Sequence, residues 1–333
     1  MALNESVTLV GSEPEVISSA AAVISVQDLV HRYDQRTALA GVTFEVRAAE
    51  LFGLLGPNGS GKTTLFRILS TLMVPVSGHA VILGHDAVRE PSLLRHKIGV
   101  VFQAQSIDLK LTAAENLMHQ GHLYGLHGAA LKSRVAEILG RVGLADRAGE
   151  KAETFSGGMQ RRLDVAKGLL HHPSVLLLDE PTTGLDPGAR RDLWQYLQSL
   201  RDEEHVTVIV TTHLMEEAER CDRLAILNQG QLVALGTPFE LKSEIGGDVI
   251  LLDTPKPELL AERIRGRFPV EPQVLDGQIR MERANGHRFI TDLVEAFPGE
   301  IDAISVSKPT LEDVFIRRTG HKFWTEDAEE PQD

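Results

Sequence analysis

The sequence is poor in cysteine and in positive charge, and it lacks long apolar runs. Cys221 is the single cysteine in 333 residues, which excludes an internal disulfide and fits a reducing compartment. No segment approaches the roughly eighteen consecutive apolar residues of a membrane-spanning helix. The apolar stretch at 20–24 is short and no basic region precedes it, which argues against a signal peptide. The formal net charge of −13 argues against nucleic acid as the main partner.

Length and composition predict a soluble protein with two domains. A chain of 333 residues can build more than one hydrophobic core. Its 42% apolar and 24% charged residues are typical of globular proteins. We predict a flexible leader at residues 1–22, a main domain at 23–246, an accessory domain at 247–320 and an acidic tail at 321–333.

A glycine-rich loop is the most informative local feature. Residues 56–64 read GPNGSGKTT and match the pattern G-x-x-x-x-G-K-[ST] between a short apolar strand and a helix, which is the setting of a phosphate-binding loop. The predicted phosphate-binding residues are Gly56, Pro57, Asn58, Gly59, Ser60, Gly61, Lys62, Thr63 and Thr64. Lys62 would reach the β- and γ-phosphates, and the Thr63 hydroxyl would ligate Mg²⁺. The alternative is a glycine-rich turn that binds nothing.

A second group of polar residues follows predicted strands. The apolar strand at 175–179 ends in Asp179 and Glu180. Asp179 would reach the magnesium through a water, and Glu180 would polarise an attacking water as general base. Taken alone, the pair could also be two solvated acids at the end of a core strand. Gln103 and His213 also follow strands, at the sheet edge where α/β proteins gather their sites.

The remaining pattern predicts a mixed α/β core. Further strands are expected at 24–33, 42–46, 79–83, 98–102, 206–211, 223–228 and 231–235. The segment at about 87–172 is mostly helical, and its Thr112–Glu115 sequence is a capping box. Strands alternating with helices imply a largely parallel sheet. From residue 248 the order is βαββαβ, which is the ferredoxin-like order, and Thr310 begins a last helix.

The motifs together resemble the nucleotide-binding subunit of ATP-binding-cassette (ABC) transporters. Six motifs occur in that family's order: Walker A (56–64), Q-loop (Gln103), signature (155–160), Walker B (175–180), D-loop (184–187) and H-loop (His213). The resemblance implies a P-loop ATPase domain with a helical insertion. It also implies ATP and Mg²⁺ as cofactors, with Tyr33 stacked on adenine.

The resemblance further implies that two copies face head to tail. Each ATP would lie between Walker A of one chain and Ser156, Gly157 and Gly158 of the other, with Asp186 among the nucleotide-binding residues. The implied catalytic residues are Glu180, His213 and Gln103. His213 would contact the γ-phosphate and help orient the water, while Gln103 would sense Mg²⁺ and water. The implied metal residues are Thr63, Gln103 and Asp179.

Two details modify this picture. Phe155 and Met159 stand where the signature usually has Leu and Gln, but the backbone donors of the signature remain, so we expect an active site. Because Glu180, His213 and Ser156 occur in one chain, two identical copies could form two competent sites.

The C-terminal unit resembles one subgroup of the family. Residues 308–315, with the signature region 155–164, look like subunits of the ABC-2 export class, including the daunorubicin-resistance type. The expected function is ATP hydrolysis that powers a separate transmembrane permease, at the cytoplasmic face of the membrane. No nucleic acid is expected. The alternatives are a soluble ATP switch that acts on ribosomes or DNA, and an importer subunit.

Overall fold

The structure is a computed structural model that describes residues 22–323. The predicted leader up to residue 21 and the predicted tail from residue 324 lie outside this range. The strands in chain order are β1 Ala22–Tyr33, β2 Arg36–Arg47, β3 Leu51–Leu55, β4 Ser77–Ile82, β5 His85–Asp86, β6 Ile98–Val101, β7 Val175–Asp179, β8 Thr207–Thr212, β9 Arg223–Asn228, β10 Gln231–Gly236, β11 Asp248–Asp253, β12 Gln273–Leu275, β13 Gln278–Arg283 and β14 Ala303–Ser307.

The helices connect these strands and form the insertion. They are α1 Lys62–Leu69, α2 Pro91–Arg95, α3 Ala113–Leu123, α4 Gly128–Arg141, α5 Gly157–Leu169, α6 Pro187–Glu204, α7 Met215–Ala218, α8 Pro238–Ser243, α9 Pro257–Arg267, α10 Gly286–Ala296 and α11 Leu311–Thr319. Short 3₁₀ helices lie at Ala145–Arg147 and Ala152–Thr154. Between residues 22 and 323, no helix is both long enough and apolar enough to cross a membrane.

The central sheet has six strands in the order β10-β9-β3-β8-β7-β6. All neighbours are parallel except β10, which forms a hairpin with β9. The register pairs Leu55 with Thr212 and Asp179 with Thr211. The carboxyl ends of β3, β7 and β8 therefore lie side by side, and the chain leaves all three strands at one edge of the sheet. Ligands of open parallel sheets bind at this edge.

The central sheet is covered on both faces. Every residue of β3, β7 and β8 is buried, which explains why these strands read as unbroken apolar runs. Along β7 the side chains alternate: Leu176 and Leu178 pack with the helical insertion and α6, whereas Val175 and Leu177 pack with α1 and the second sheet. The sheet is thus held between two hydrophobic layers, which fixes the positions of the loops at its edge.

The second sheet is antiparallel, with the order β2-β1-β4-β5. Its long β1–β2 hairpin brings Tyr33 next to Arg36 at the turn. A backbone hydrogen bond from Ala40 N to Gly230 O, 2.9 Å long, joins β2 to the β9–β10 turn. Ala38 of β2 also packs closely against Gly61, so the hairpin lies next to the phosphate loop.

Residues 87–172, predicted as mostly helical, contain one strand of the central sheet. This strand is β6, which pairs in parallel with β7. The helices α3, α4 and α5 follow it. The predicted capping box is present: the Thr112 hydroxyl accepts a hydrogen bond from Glu115 N, and the Glu115 carboxylate accepts one from Thr112 N.

The accessory unit has the predicted βαββαβ order. Its four strands form an antiparallel sheet in the order β12-β13-β11-β14. The last helix, α11, begins at the predicted Thr310, which forms a capping box with Asp313. Val314 and Phe315 of α11 share one apolar cluster with Leu55 and Ile226 of the central sheet. The accessory unit is thereby packed against the strand that leads into the phosphate loop.

Candidate nucleotide-binding site

The phosphate loop joins β3 to α1 and packs closely against neighbouring backbone. Gly61 has a φ of +105°, a conformation that favours glycine. A Cβ atom at Gly61 would lie 2.5 Å from the Ala38 carbonyl oxygen, and one at Gly56 would lie 2.5 Å from the Leu227 carbonyl oxygen. These two positions therefore need glycine. The Ser60 hydroxyl is buried and finds no hydrogen-bond partner within residues 22–323.

Lys62 is the buried cation of the loop, with 5% of its surface exposed. Its Nζ donates to the carbonyl oxygens of Gly56 (2.7 Å) and Pro57 (3.1 Å). It also lies 3.9 Å from Glu180 Oε1. Burial lowers the pKa of Lys62, and the carboxylates of Glu180 and Asp179 oppose that shift. The loop therefore holds a positive charge within reach of two acids.

The end of β7 is held by a threonine on the neighbouring strand. The Thr211 hydroxyl donates to Asp179 Oδ1 (2.6 Å) and accepts a hydrogen bond from Glu180 N (2.9 Å). Burial raises the pKa of Asp179, and the hydrogen bond from Thr211 works against this rise. Thr211 was not predicted as a site residue. Its signal in the sequence was only its position at the end of an apolar strand.

Glu180 and His213 form a direct pair. His213 Nδ1 lies 3.0 Å from Glu180 Oε2, and the Thr183 hydroxyl donates to the same oxygen at 3.4 Å. The turn that carries His213 is fixed by Glu217, a buried acid that the sequence reasoning missed. Its Oε2 accepts a hydrogen bond from the Thr212 hydroxyl (2.7 Å). The predicted base and the predicted histidine are thus brought together and held.

These groups line one open cavity of about 770 Å³, which lies within the size range of small-molecule sites. Its lining residues are Tyr33, Arg36, Ala38, residues 58–64, Gln103, Glu180, Thr183 and His213. Gly56 and Pro57 lie outside the lining but accept hydrogen bonds from Lys62. Asp179 also lies outside it and shares the Thr211 hydroxyl with Glu180, which lines the cavity. The glycine cradle, the buried lysine and the orphaned serine hydroxyl fit a polyphosphate.

Two polar residues of the β1–β2 hairpin border the cavity. Tyr33 is 41% exposed, and its hydroxyl lies 3.4 Å from Thr64 Oγ1 and 3.3 Å from Met73 Sδ. Arg36, which was not predicted, places its Nη2 2.8 Å from where a Cβ atom of Gly59 would be. Within residues 22–323 Arg36 forms no ion pair. The signal for Arg36 in the sequence was its positive charge three positions after Tyr33, the predicted adenine-stacking residue.

The signature and D-loop residues are not brought into this cavity by the same chain. Ser156 caps α5 and accepts a hydrogen bond from Met159 N at 3.3 Å. Ser156 and Gly157 are exposed and Gly158 is half-buried, and all three are absent from the cavity lining. Asp186 caps α6 by accepting from Gly188 N (2.9 Å) and Ala189 N (3.1 Å). Within one chain these groups cap helices.

Comparisons with known proteins identify the family of the chain. The family model described as "ABC transporter" matches residues 39–183. The chain is 38% identical over 307 residues to the linearmycin resistance ATP-binding protein LnrL of Bacillus subtilis, covering 90% of this chain and 98% of that protein. It is 37% identical over 308 residues to the daunorubicin/doxorubicin resistance ATP-binding protein DrrA of Streptomyces peucetius, covering 90% and 92%. It is 38% identical to the Nod factor export ATP-binding protein I of Ralstonia nicotianae, covering 90% and 95%.

Solved structures of ABC ATPases share the fold. CbiO1 of Clostridium perfringens, part of the ABC transporter complex cbiONQ, superposes with a TM-score of 0.63 at 26% identity, covering 74% of this chain and 96% of that one. A bacterial ABC transporter cassette solved as a dimer gives a TM-score of 0.59 at 29% identity, covering 64% and 98%. The predicted family, fold and enzyme class are confirmed, and the drug-resistance and export relatives agree with the predicted subgroup. The chain belongs to the ABC transporter family, in which it is an ATP-hydrolysing subunit.

Proposed function

We propose that this chain is the ATPase subunit of an ABC-2 type exporter and works as a head-to-tail dimer. One observation carries the proposal: the phosphate loop, Glu180 and His213 share a cavity, whereas Ser156, Gly157 and Gly158 lie outside it, with Ser156 and Gly157 exposed. An open cavity leaves one side of a bound triphosphate in water. A second copy can cover that side with the N-terminus of its α5, whose free N–H groups favour anions.

The residues that would hold the nucleotide follow from the lining. Tyr33 offers a ring face to adenine, and the loop with Lys62 binds the phosphates. The oxygen atoms of Thr63 and Asp179 suit Mg²⁺, with Gln103 as a further oxygen donor nearby. Bound there, Mg²⁺ would neutralise phosphate charge. Thr211 keeps the Asp179 carboxylate in place for this role.

Glu180 and His213 supply the acid–base chemistry. The Glu180 carboxylate faces the cavity and can accept a proton from a water that attacks the γ-phosphate. His213 touches the same carboxylate at 3.0 Å, so it can fix the orientation of Glu180. His213 also lines the cavity, where a ring N–H can donate to phosphate oxygen. Both residues come from adjacent strands, so their separation is set by the sheet.

An apolar surface around α2 and the end of α3 fits the permease. Leu72, Leu93 and Leu123 are exposed there. Arg95 of α2 donates from Nε to the Thr71 hydroxyl (2.9 Å) and shares a cavity with Leu123, so these leucines border one region. Exposed apolar side chains of this kind mark protein interaction sites. The resistance and export functions of the relatives support a membrane exporter as the partner, with this subunit at the cytoplasmic face of the membrane.

The proposal is tested with Glu180→Gln, which removes the base and keeps the shape of the side chain. We expect the variant to bind Mg-ATP and to run as a dimer in size-exclusion chromatography, because closure without hydrolysis traps the closed state. Glu216→Gln is the control, since Glu216 is exposed and absent from the cavity lining. It should hydrolyse ATP and stay mainly monomeric. A Glu180→Gln variant that binds ATP but never dimerises would contradict the head-to-tail arrangement.

A further inference from the structure

Arg161, in the first half of α5, is a buried arginine that the nucleotide site does not account for. Only 4% of its side chain is exposed. Its Nε donates to the Pro181 carbonyl (2.8 Å), and its Nη2 donates to the Asp179 carbonyl (3.2 Å). Its Nη1 donates to the Phe102 carbonyl (2.6 Å) and to Asp164 Oδ2 (3.1 Å). Every nitrogen of the Arg161 guanidinium thus donates at least one hydrogen bond.

Two of these acceptors stand on either side of Glu180. Glu180 has a φ of +41°, in the left-handed region that costs an L-residue about 1–2 kcal/mol. Such a conformation persists only where surrounding contacts impose it. Arg161 holds the carbonyl groups before and after Glu180, and Thr211 holds its N–H. The rigid fork of the guanidinium reaches these carbonyls from two separate nitrogens, a geometry that the single nitrogen of a lysine ammonium does not reproduce.

Asp164, the ion-pair partner of Arg161, also binds the loop that follows Gln103. Its Oδ1 accepts hydrogen bonds from Ser106 N (3.2 Å) and from the Ser106 hydroxyl (2.6 Å). Phe102, whose carbonyl binds Arg161, directly precedes Gln103. One buried ion pair on α5 therefore holds both the Glu180 turn and the two ends of the Gln103 loop.

We propose that Arg161, aided by Asp164, is a positioning residue for ATP hydrolysis that fixes the Glu180 turn from α5. The proposal rests on the proposed function, because it assumes that Glu180 is the base. The same helix carries Ser156 at its exposed N-terminus. If α5 shifts when the nucleotide of a partner copy binds to its N-terminus, the positions of Glu180 and Gln103 in the same chain should therefore change.

Arg134 provides a matched control. It is also buried, with 7% exposure, and it also donates to backbone carbonyls of the α5 segment: Nε to Leu170 (3.1 Å) and Nη2 to Leu169 (2.7 Å). These acceptors lie at the opposite end of α5 from the catalytic turn. Loss of either guanidinium leaves buried carbonyls unpaired, so both variants should lower stability. Only the Arg161 variant should lower the rate of ATP hydrolysis.

The experiment compares Arg161→Lys, Asp164→Asn and Arg134→Lys in the full chain. Melting temperature, fluorescent ATP affinity, and kcat and KM for ATP hydrolysis are measured. We expect Arg161→Lys to lower kcat at least about tenfold while KM changes less than about threefold, the pattern of a lost transition-state interaction. Asp164→Asn, which keeps its shape and its contacts with Ser106, should lower kcat about three- to tenfold. Arg134→Lys should lose comparable thermal stability with kcat within about twofold of wild type.

A second readout separates positioning from general damage. In a Glu180→Gln background the base is already gone, so Arg161→Lys should cause no further loss of residual hydrolysis. Equal kcat for the folded Arg161→Lys and Arg134→Lys variants would overturn the proposal. If Arg161→Lys does not fold, an unchanged kcat in Asp164→Asn would overturn it as well. A wild-type chain that neither binds nor hydrolyses ATP would instead contradict the proposed function itself.

Discussion

Thr211 is the position where one buried atom supports both predicted acids, so we expect Thr211→Val to disable the site. Valine keeps the shape of threonine but cannot bond to Asp179 or to Glu180 N. Thr211 is fully buried, so water cannot replace the lost partner. Each buried group left unsatisfied costs about 1–3 kcal/mol. Two such groups predict a loss of about 2–6 kcal/mol in the free energy of unfolding.

The substitution should also lower the rate of hydrolysis. Glu180 N would lose the bond that anchors the catalytic turn, and small misplacements of reacting groups can cost about 100-fold in rate. We expect kcat to fall at least about tenfold. Because the hydrogen bond from Thr211 opposes the raised pKa of Asp179, its removal should raise that pKa further. The acid limb of the pH–rate profile should then move to higher pH.

Thr207→Val on the same strand is the control. Thr207 is also buried, and its hydroxyl accepts one hydrogen bond from Ala49 N at 3.0 Å. It lies at the other end of β8, away from the cavity. The control should lose about 1–3 kcal/mol of stability and keep its kcat and acid limb. Urea unfolding and steady-state ATPase assays measure both quantities. A Thr211→Val protein that folds and keeps the wild-type kcat and acid limb would refute this reasoning.

Three further outcomes are expected. Tyr33→Ala should weaken ATP binding by about 1–2 kcal/mol through lost ring contact, and equal nucleotide affinities in a fluorescence titration would rule out the adenine role. Arg36→Ala should weaken ATP binding by about 1–2 kcal/mol, as for a lost charged hydrogen bond, whereas the exposed Arg32→Ala on the same hairpin should leave it unchanged. Burial lowers the pKa of His171 to about 4, so the unfolded chain binds a proton that the folded protein excludes. Stability should therefore fall as pH drops from about 6.5 to about 4, by up to about 3 kcal/mol, and His171→Phe should flatten this part of the urea-unfolding pH profile.

The strands that carry the site could be predicted closely from the sequence. The expected bounds 175–179 and 223–228 agree with the structure to the residue. Buried parallel strands read as continuous apolar runs between polar loops, so their ends are sharp in the sequence. The hairpin strands β1 and β2 are longer than expected at one or both ends, and the two-residue strand β5 was missed. Their edges are half exposed, and apolar patterns do not mark such edges.

The residues that hold the site could not be predicted in the same way. Thr211 and Asp179 are 32 positions apart, and Arg161 lies 59 positions from Phe102. Their roles depend on which strands are neighbours in the sheet, and the local pattern of apolar and polar residues does not reveal the order of the strands. Arg36, Glu217 and Arg161 are ordinary charged residues within their segments. They gain a function only when the sheet brings distant segments into contact.

The signature motif shows a different limit of prediction. Within one chain Ser156 caps α5 and Gly158 packs close to Ala189, which is sufficient reason for these residue types at a helix start. Ser156 and Gly157 are exposed, however, so the N-terminus of α5 faces solvent and does not line the phosphate-loop cavity of its own chain. The N–H groups of a helix N-terminus are stabilised by a bound anion. The phosphate loop, which binds the anion, lies in the open cavity on a different face of the chain. The proposed head-to-tail pair would satisfy both faces at once, because the α5 N-terminus of each copy would cover the open cavity of the other.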